Sequence, residues 1–305
     1  MGDNSTIEWT EATWNPTVGC SRVSEGCRNC YAEKVAARFG GGYSSGGVAL
    51  WSRYQGLVKK VNGHPQWTGE VRTVEEALRL PLSWKKPRRI FVNSMSDLFH
   101  EHVPTEWIDR VFEVMGRAAQ HTFQILTKRP ERMREYCQAA ACMGGVPPAN
   151  VWLGVSVEDQ ATLDARFPLL MKTPAAVRWV SYEPALGPIT FPTIHTFGDF
   201  EWKGPKLDWV VVGGESGPAA RPFDLTWARQ TLEQGRAAGM PVFVKQLGAH
   251  PHESRAGRIH CLARRMDQCG AGHWSRSSVI QDRKGSDPAE WPEDLRVREY
   301  PHART

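Results

Sequence analysis

The stretch RRIFVNSMSD, residues 88–97, contains a short apolar run that ends abruptly in polar residues. Ile90, Phe91 and Val92 form the run, and β-branched and aromatic side chains of this kind favour a strand. A continuous apolar run, without alternating polar positions, is typical of a parallel strand that is covered on both faces. The stretch therefore predicts a buried parallel strand whose carboxyl end is polar.

The same pattern recurs along the chain and predicts the fold. The other apolar runs lie in IEWTEATWNP, HTFQILTKRP, NVWLGVSVED, VRWVSYEP, DWVVVGGESG and PVFVKQLG. Between them lie segments such as TEWIDRVFEVMGRAAQ and DLTWARQTLEQGRAAG, whose apolar residues recur at helical spacing. The second of these predicts a helix that ends at Gly239. Strands that alternate with helices predict an α/β fold with a parallel sheet, and about seven such units favour a full or partial (β/α) barrel over an open doubly wound sheet.

The composition is that of a globular protein with a sizeable core. The chain has 305 residues, of which 41% are hydrophobic, and a net charge of +5. No stretch approaches the roughly twenty apolar residues of a membrane span, and the N-terminus does not resemble a secretory signal. The seven cysteines are an odd number and four of them are scattered, so we expect a reducing cytoplasm rather than a disulfide framework.

Two regions depart from the alternation of strand and helix. Residues 40–69 are rich in glycine and predict an insertion, either a lid or an irregular loop. The residues from 251 onwards are polar and rich in arginine and proline, which predicts an appendage near the barrel mouth or a partly disordered end. We therefore predict a barrel domain over residues 1–250, including the insertion, and a C-terminal extension over residues 251–305.

Polar residues follow each predicted strand. In a parallel barrel, ligands bind at the carboxyl ends of the strands, so we expect these residues to face one mouth. They are Asn93, Ser94, Ser96 and Asp97, then Thr127, Lys128 and Arg129, then Ser156, Glu158 and Asp159, then Ser181, Tyr182 and Glu183, then Glu215 and Ser216, and finally Lys245 and Gln246.

Three cysteines, Cys20, Cys27 and Cys30, lie in the loop after the first predicted strand. Structural zinc requires four ligands, and here the fourth would have to be Cys261, Cys269 or a histidine of the extension. A redox-active Cys-x-x-Cys pair would leave Cys20 unexplained. A [4Fe–4S] cluster fits differently, because three thiolates bind three irons and the fourth iron stays open for an exchangeable ligand. The residues alone leave zinc and the cluster as alternatives.

The motifs taken together resemble those of a known superfamily. The loop TWNPTVGCSRVSEGCRNCYAEKVAAR, with FVNSMSDLFHEHVP, ILTKRPERM, LGVSVEDQ, SYEPALGPI, VVVGGESGP, VFVKQLG and DPAEWPEDLRVREYP, resembles the radical S-adenosylmethionine (SAM) superfamily and, more narrowly, a phage-associated family of radical SAM-like proteins. The resemblance covers nearly the whole chain. The chain departs from the common pattern in the spacing of its cysteines and in having NSMSD where Gly-Gly-Glu is usual.

The resemblance implies a parallel barrel of radical SAM type that carries a [4Fe–4S] cluster and SAM. Reductive cleavage of SAM would give a 5′-deoxyadenosyl radical, with the electron coming from a donor such as flavodoxin or ferredoxin. The implied roles are cluster ligation by Cys20, Cys27 and Cys30; contacts to the SAM amine by Ser94, Ser96 and Asp97; to its carboxylate by Lys128 or Arg129; to its ribose by Ser156 and Glu158; to its adenine by Gly213 and Gly214; and substrate or proton handling by Glu183, Glu215, Lys245 and Gln246.

The implied substrate is a DNA base or a nucleotide in the cytoplasm of a phage host. Hypermodification of thymidine, or rearrangement of an amino-acyl group on the base, is the expected reaction. Basic residues of the insertion and the extension would hold phosphates: Arg53, Lys59, Lys60, Arg255, Arg258, Arg264 and Arg265. Tryptophans in polar segments could stack on a flat ligand, although burial is usual: Trp9, Trp14, Trp67, Trp202, Trp274 and Trp291. The alternatives are a zinc-stabilised nucleic-acid-binding protein and a DNA repair enzyme resembling photoproduct lyases.

Overall fold

The computed structural model describes residues 5–40, 53–142, 145, 147–192, 206–255, 258–262, 274–276 and 280–301. The strands are β1 (Ala12–Trp14), β2 (Thr17–Val18), β3 (Val58–Val61), β4 (His64–Trp67), β5 (Arg72–Thr73), β6 (Arg89–Val92), β7 (Thr122–Thr127), β8 (Val151–Val157), β9 (Val177–Tyr182), β10 (Trp209–Gly213), β11 (Phe223–Asp224), β12 (Val242–Gln246), β13 (Pro251–Arg255), β14 (Arg258–Cys261) and β15 (Trp274–Arg276). The helices are α1 (Tyr31–Phe39), α2 (Glu75–Leu78), α3 (Leu80–Ser83), α4 (Thr105–Arg117), α5 (Pro130–Cys142), α6 (Gln160–Met171) and α7 (Leu225–Ala238).

The main sheet consists of seven parallel strands in the order β1-β6-β7-β8-β9-β10-β12. Strand β6 pairs in parallel with β1 on one side and β7 on the other, and Ile90 and Val92 are fully buried. All seven predicted apolar runs are therefore confirmed as parallel strands. This mixed α/β architecture is compatible with the predicted partial barrel.

The chain divides into two compact units. The first consists of Met1–Val155 and Lys172–Ala176, and the second of Ser156–Met171 and Val177–Thr305. The cysteine loop and the carboxyl ends of β1, β6 and β7 lie in the first unit, whereas the carboxyl ends of β9, β10 and β12 lie in the second. The predicted start of a separate extension at residue 251 stays a prediction.

Two predicted helices are confirmed, and their ends have clear physical causes. Helix α4 buries the apolar face formed by Trp107, Val111 and Met115. Helix α7 begins where the Asp224 carboxylate accepts a hydrogen bond from the amide of residue 226 at 2.9 Å, and it ends at Gly239, whose φ of 62° is left-handed. None of the helices within the described ranges is long and apolar enough to cross a membrane.

Part of the predicted irregular insertion is a packed hairpin. Strands β3 and β4 pair in an antiparallel manner and are joined by Asn62 and Gly63, whose φ values of 50° and 80° fit a type I′ turn. Leu57 and Trp67 pack into a core cluster of the first unit. Of the two predicted alternatives, the irregular loop is therefore wrong for this part, and residues 41–52 lie outside the described ranges.

Four of the tryptophans considered for stacking on a ligand belong to the core. Trp9, Trp14, Trp67 and Trp291 are at most 6% exposed. The indole of Trp14 donates to the carbonyl of residue 77 at 2.8 Å, and that of Trp291 donates to the carbonyl of residue 285 at 3.0 Å. Burial of these rings rules them out as a surface for a flat ligand. Trp202 and the side chain of Trp274 lie outside the described part.

The last described residues complete the core of the second unit. The amide of Val244 donates to the carbonyl of Val297 at 2.9 Å, and the ring of Tyr300 stacks on Trp209 with centroids 5.5 Å apart. Leu295 is fully buried. Residues 295–300 of the predicted extension are therefore packed against β10 and β12.

Candidate functional site: the three-cysteine loop

The loop between β2 and α1 brings the three cysteines into one neighbourhood. Cys27 ends a 3-10 turn, and Cys30 directly precedes α1. All three thiols are free and partly buried. Burial, and secondarily the negative charge of Asp97, raise the pKa of Cys20 to about 12, against the opposing effect of the Arg129 charge. Cys20 and Cys30 also pack against the core cluster of the first unit.

Gly19 determines how the chain enters this loop. Its φ is 92°, and a Cβ atom at this position would lie 2.2 Å from the carbonyl oxygen of Glu70. The Gly19 amide donates to the carbonyl of Met95 at 3.1 Å. Only glycine combines this left-handed conformation with so close an approach. The cysteine loop is thereby fixed to the carboxyl end of β6.

The two serines predicted to contact the SAM amine reinforce the same connection. The Ser94 hydroxyl donates to the Asn15 side-chain oxygen at 3.2 Å, and the Ser96 hydroxyl donates to the Thr17 carbonyl at 3.1 Å. The hydroxyl of Tyr31 donates to the Ser94 carbonyl at 2.6 Å. A hydroxyl that donates can still accept, so the predicted contact with an ammonium group stays a prediction.

Asp97 joins the carboxyl ends of β6 and β7. Its carboxylate accepts from the hydroxyl of Thr127 at 2.7 Å, and from the amides of Phe99 at 3.0 Å and Lys128 at 3.1 Å. A fourth donor is the guanidinium of Arg129, at 3.1 Å. A buried carboxylate with four donors has a positioning function, whether or not it also meets a ligand.

Arg129 connects the hydrogen bonds around Asp97 to the cysteine loop. One terminal nitrogen donates to the Ser21 hydroxyl at 2.7 Å, and the other lies 3.9 Å from the Cys20 sulfur. Its Nε atom donates to Glu101 at 2.8 Å. The side chain is only 11% exposed and also bonds to Asp97. A fixed positive charge therefore stands beside one of the three thiols.

His100 is a site residue that the sequence analysis missed. Its Nδ1 accepts from the amide of His102 at 3.2 Å, which assigns the proton to Nε2, and Nε2 lies 2.9 Å from the Ser21 hydroxyl. Burial, and secondarily the charge of Arg129, lower the pKa of His100 to about 4. The ring is therefore neutral at neutral pH. The histidine stands in the motif FHEHVP, where no periodicity distinguishes it.

The neutral, buried His100 should make the stability of the first unit depend on pH. Its pKa falls from 6.5 in the unfolded chain to about 4 in the folded one, so the unfolded chain binds the extra proton between these values. Stability is therefore retained above pH 6.5 and lost as the pH falls toward 4. Between about pH 7 and about pH 5 we expect His100 to contribute a loss of about 2 kcal/mol to the free energy of urea unfolding of the wild type. His100→Gln should reduce this loss, whereas His102→Gln, at an exposed position, should not; equal pH dependence in all three proteins would contradict the assignment.

A buried ion pair holds the loop from the other side. The Arg22 guanidinium donates to both carboxylate oxygens of Glu33, at 2.9 and 2.5 Å, and Glu33 also accepts from the amide of Trp67 at 3.0 Å. Glu33 is 1% exposed. The pair joins the cysteine loop, α1 and the β3–β4 hairpin. Sequence analysis missed it, because the residues that meet are brought together only by folding.

In the second unit, each of three predicted site glutamates is paired with its own cation. The pairs are Glu158 with Arg166 at 3.1 Å, Glu183 with Lys245 at 3.0 Å, and Glu215 with Arg221 at 2.8 Å. The first pair is the most buried, with side chains 1% and 9% exposed. Arg166 also donates to the carbonyl of Ser156 at 2.6 Å. These contacts favour a structural role for Glu158 over the predicted contact with ribose.

At the carboxyl ends of β9, β10 and β12 the structure brings three further predicted residues, Gly213, Gly214 and Gln246, together with the Glu183–Lys245 pair. A Cβ atom on Gly213 would lie 2.8 Å from the carboxylate of Glu183, so glycine leaves room for the Glu183–Lys245 pair. The side chain of Gln246 donates to the carbonyl of Gly214 at 2.8 Å. This group combines a carboxylate and an ammonium that are each partly exposed.

The basic residues predicted to hold phosphates are only partly described. Lys59 and Lys60 are exposed on the β3–β4 hairpin. Arg53 lies 4.0 Å from Glu76. The other predicted phosphate contacts lie outside the described side chains: Arg255, Arg258, Arg264 and Arg265.

The described side chains also bear on whether a single metal ion has a preassembled site. Among the residues that the structure describes, no group of three or more His, Cys, Asp or Glu side chains is placed to hold a metal ion. Cys261, which was considered as a fourth zinc ligand, is disulfide-bonded and offers no thiolate. Cys269 lies outside the described ranges. A four-ligand zinc site is therefore not assembled in the described part of the chain.

Fold and site together define a parallel α/β protein with a three-thiol loop at the carboxyl end of its first strand. Residues 4–289 match the family described as "Protein of unknown function (DUF5131)", and the chain belongs to this family. No curated protein and no solved structure matches the chain.

Proposed function

We propose that the protein is a radical SAM enzyme whose [4Fe–4S] cluster is ligated by Cys20, Cys27 and Cys30. The observation that carries the proposal is the group of three free, partly buried thiols in one loop, with the guanidinium of Arg129 lying 3.9 Å from the sulfur of Cys20. When bound, the cluster would supply the electron for the reductive cleavage of SAM.

The donor set fits a cluster better than it fits zinc. Ligands of one zinc ion surround that ion at about 2.3 Å for sulfur, whereas three thiolates of a cluster each bind a different iron. A zinc ion would also need a fourth ligand, and Cys261, one candidate for it, is disulfide-bonded. A [4Fe–4S] cluster with one iron open to an exchangeable ligand needs three cysteine ligands, and the loop supplies three.

The surrounding residues would hold the cysteine loop in place and provide a cation for the carboxylate of SAM. The Arg22–Glu33 pair and Gly19 hold the loop on both sides. Lys128 and Arg129 begin the polar segment after β7, where the carboxylate of SAM would find a cation.

We assign proton handling to Glu183 and Lys245, because a partly exposed carboxylate beside an ammonium can accept and return a proton. Glu215 is held by Arg221 through two carboxylate oxygens, which supports a positioning function.

Anaerobic purification with reconstitution tests the proposal. We expect about four iron and about four sulfide per chain, visible absorption that air bleaches, and 5′-deoxyadenosine after addition of SAM and dithionite. Colourless protein with one zinc per chain would contradict it and would favour the zinc-stabilised nucleic-acid-binding protein.

For the substrate we propose a DNA base of a phage genome, such as a thymidine undergoing hypermodification. The net charge of +5 and the exposed Lys59 and Lys60 support an anionic partner. A base inside a duplex must leave the stack before an enclosed site can act on it.

Binding to duplex DNA should weaken steeply as the salt concentration rises, and the double substitution Lys59→Glu and Lys60→Glu should reduce that salt dependence in gel shifts. A free-nucleotide substrate would give no duplex binding at physiological salt, and turnover of ultraviolet-damaged DNA would favour a repair enzyme.

A further inference from the structure

We infer that Arg129 raises the reduction potential of the bound cluster by acting on the sulfur of Cys20. The inference rests on the proposed function, because it requires the cluster. The guanidinium of Arg129 donates toward the sulfur of Cys20 at 3.9 Å. The resemblance implies a contact of Lys128 or Arg129 with the SAM carboxylate, and the position of Arg129 beside a ligand sulfur gives it a second role.

The Arg129 guanidinium cannot easily leave this position. It is held by charged bonds to Asp97 at 3.1 Å and Glu101 at 2.8 Å, and by a bond to the Ser21 hydroxyl at 2.7 Å. These partners come from the segment after β6 and from the cysteine loop itself. Movement of the side chain would leave the buried Asp97 without its cation. The charge is therefore fixed beside the sulfur before any ligand binds.

A fixed positive charge affects the two oxidation states of the cluster unequally. Reduction transfers one electron from an external low-potential donor to the cluster and forms or breaks no bond at Arg129. The added negative charge is stabilised by a nearby cation and by hydrogen bonds to the sulfurs, which raise the potential. Because Arg129 is 11% exposed, water screens this effect only weakly.

Neighbouring charged residues differ in ways that make the effect testable. Asp97 carries the opposite charge at 8% exposure, so its removal should move the potential in the opposite direction. Glu101 is 57% exposed, and its charge is largely screened by solvent. Arg132 donates to the carbonyls of His100 and Val103 instead of to a sulfur.

The test is an anaerobic redox titration of reconstituted protein, followed by electron paramagnetic resonance. Arg129→Gln should shift the one-electron reduction equilibrium at least tenfold toward the oxidised cluster, equivalent to about 59 mV more negative. Asp97→Asn should shift it the other way. Arg129→Lys keeps the positive charge but loses the planar set of guanidinium donors, so its reduction potential should lie between those of the wild type and Arg129→Gln. The control is Arg117→Gln, which removes one exposed positive charge from α4 and should leave the potential unchanged.

The outcomes separate this inference from the proposed function. If the wild type binds iron and sulfide but Arg129→Gln keeps the wild-type potential, the inference is wrong and the proposed function stands. If both Arg129→Gln and Asp97→Asn lower the potential, loop geometry and not charge is responsible, and the inference is again overturned. If Arg129→Gln does not fold, the opposite shifts of Asp97→Asn and Arg129→Lys decide. A wild type without a cluster would overturn both.

Discussion

Replacement of Cys27 by alanine should abolish cluster binding and SAM cleavage while leaving the protein folded. Cys27 is partly buried, and unlike Cys20 and Cys30 it does not pack against the core cluster of the first unit. The loop is held instead by Gly19 and by the Arg22–Glu33 pair, which the substitution leaves intact. Iron content, visible absorption and 5′-deoxyadenosine formation should fall to background, while the circular dichroism spectrum and the melting temperature should change little.

The matched control is Cys142→Ala, which removes an exposed free thiol at the end of α5. It should keep full iron content and SAM cleavage. An unfolded Cys27→Ala protein, combined with a wild type that contains zinc, would mean that the loop is a structural metal site. Full cluster content in the Cys27→Ala protein would remove Cys27 from the ligand set.

Replacement of Arg166 by leucine should destabilise the second unit by about 3–5 kcal/mol, because it removes the cation that contacts both oxygens of a buried carboxylate. Glu158 is 1% exposed, and both of its oxygens lie within 3.3 Å of the Arg166 guanidinium. Arg166 also satisfies the carbonyl of Ser156. The midpoint of urea unfolding, followed by the fluorescence of the buried tryptophans, measures the loss.

Two further variants make this test specific. Adding Glu158→Leu to Arg166→Leu should recover much of the lost stability, since a buried ion pair can often be replaced by apolar side chains at little cost. Arg117→Leu, which breaks an exposed pair, should cost at most about 1 kcal/mol. If Arg166→Leu is as mild as Arg117→Leu, Glu158 is not a structural residue and its predicted contact with a ligand gains support.

The seven parallel strands were predictable because each is a local apolar run. Strand β10, with the sequence WVVVG, is buried along its whole length, and burial on both faces produces this pattern. The β3–β4 hairpin was missed because its strands lack regular alternation, although Asn62 and Gly63 are a recognised hairpin signal. The tryptophans were misjudged because a polar neighbourhood in sequence says little about burial; Trp14 is fully buried.

The sequence by itself determined that this is a parallel α/β protein with three thiols on the loop after its first strand. Periodicity and cysteine spacing are local properties, so both can be read from the sequence without knowledge of distant contacts. Only the tertiary structure decided that Asp97 binds Arg129, that Arg129 reaches Cys20, and that Glu158 is neutralised by Arg166. Each of these contacts depends on which strand ends become neighbours and on how deeply a charge is buried. A carboxylate in a sequence does not specify its cation, because burial and the low dielectric around it arise only when the chain has folded.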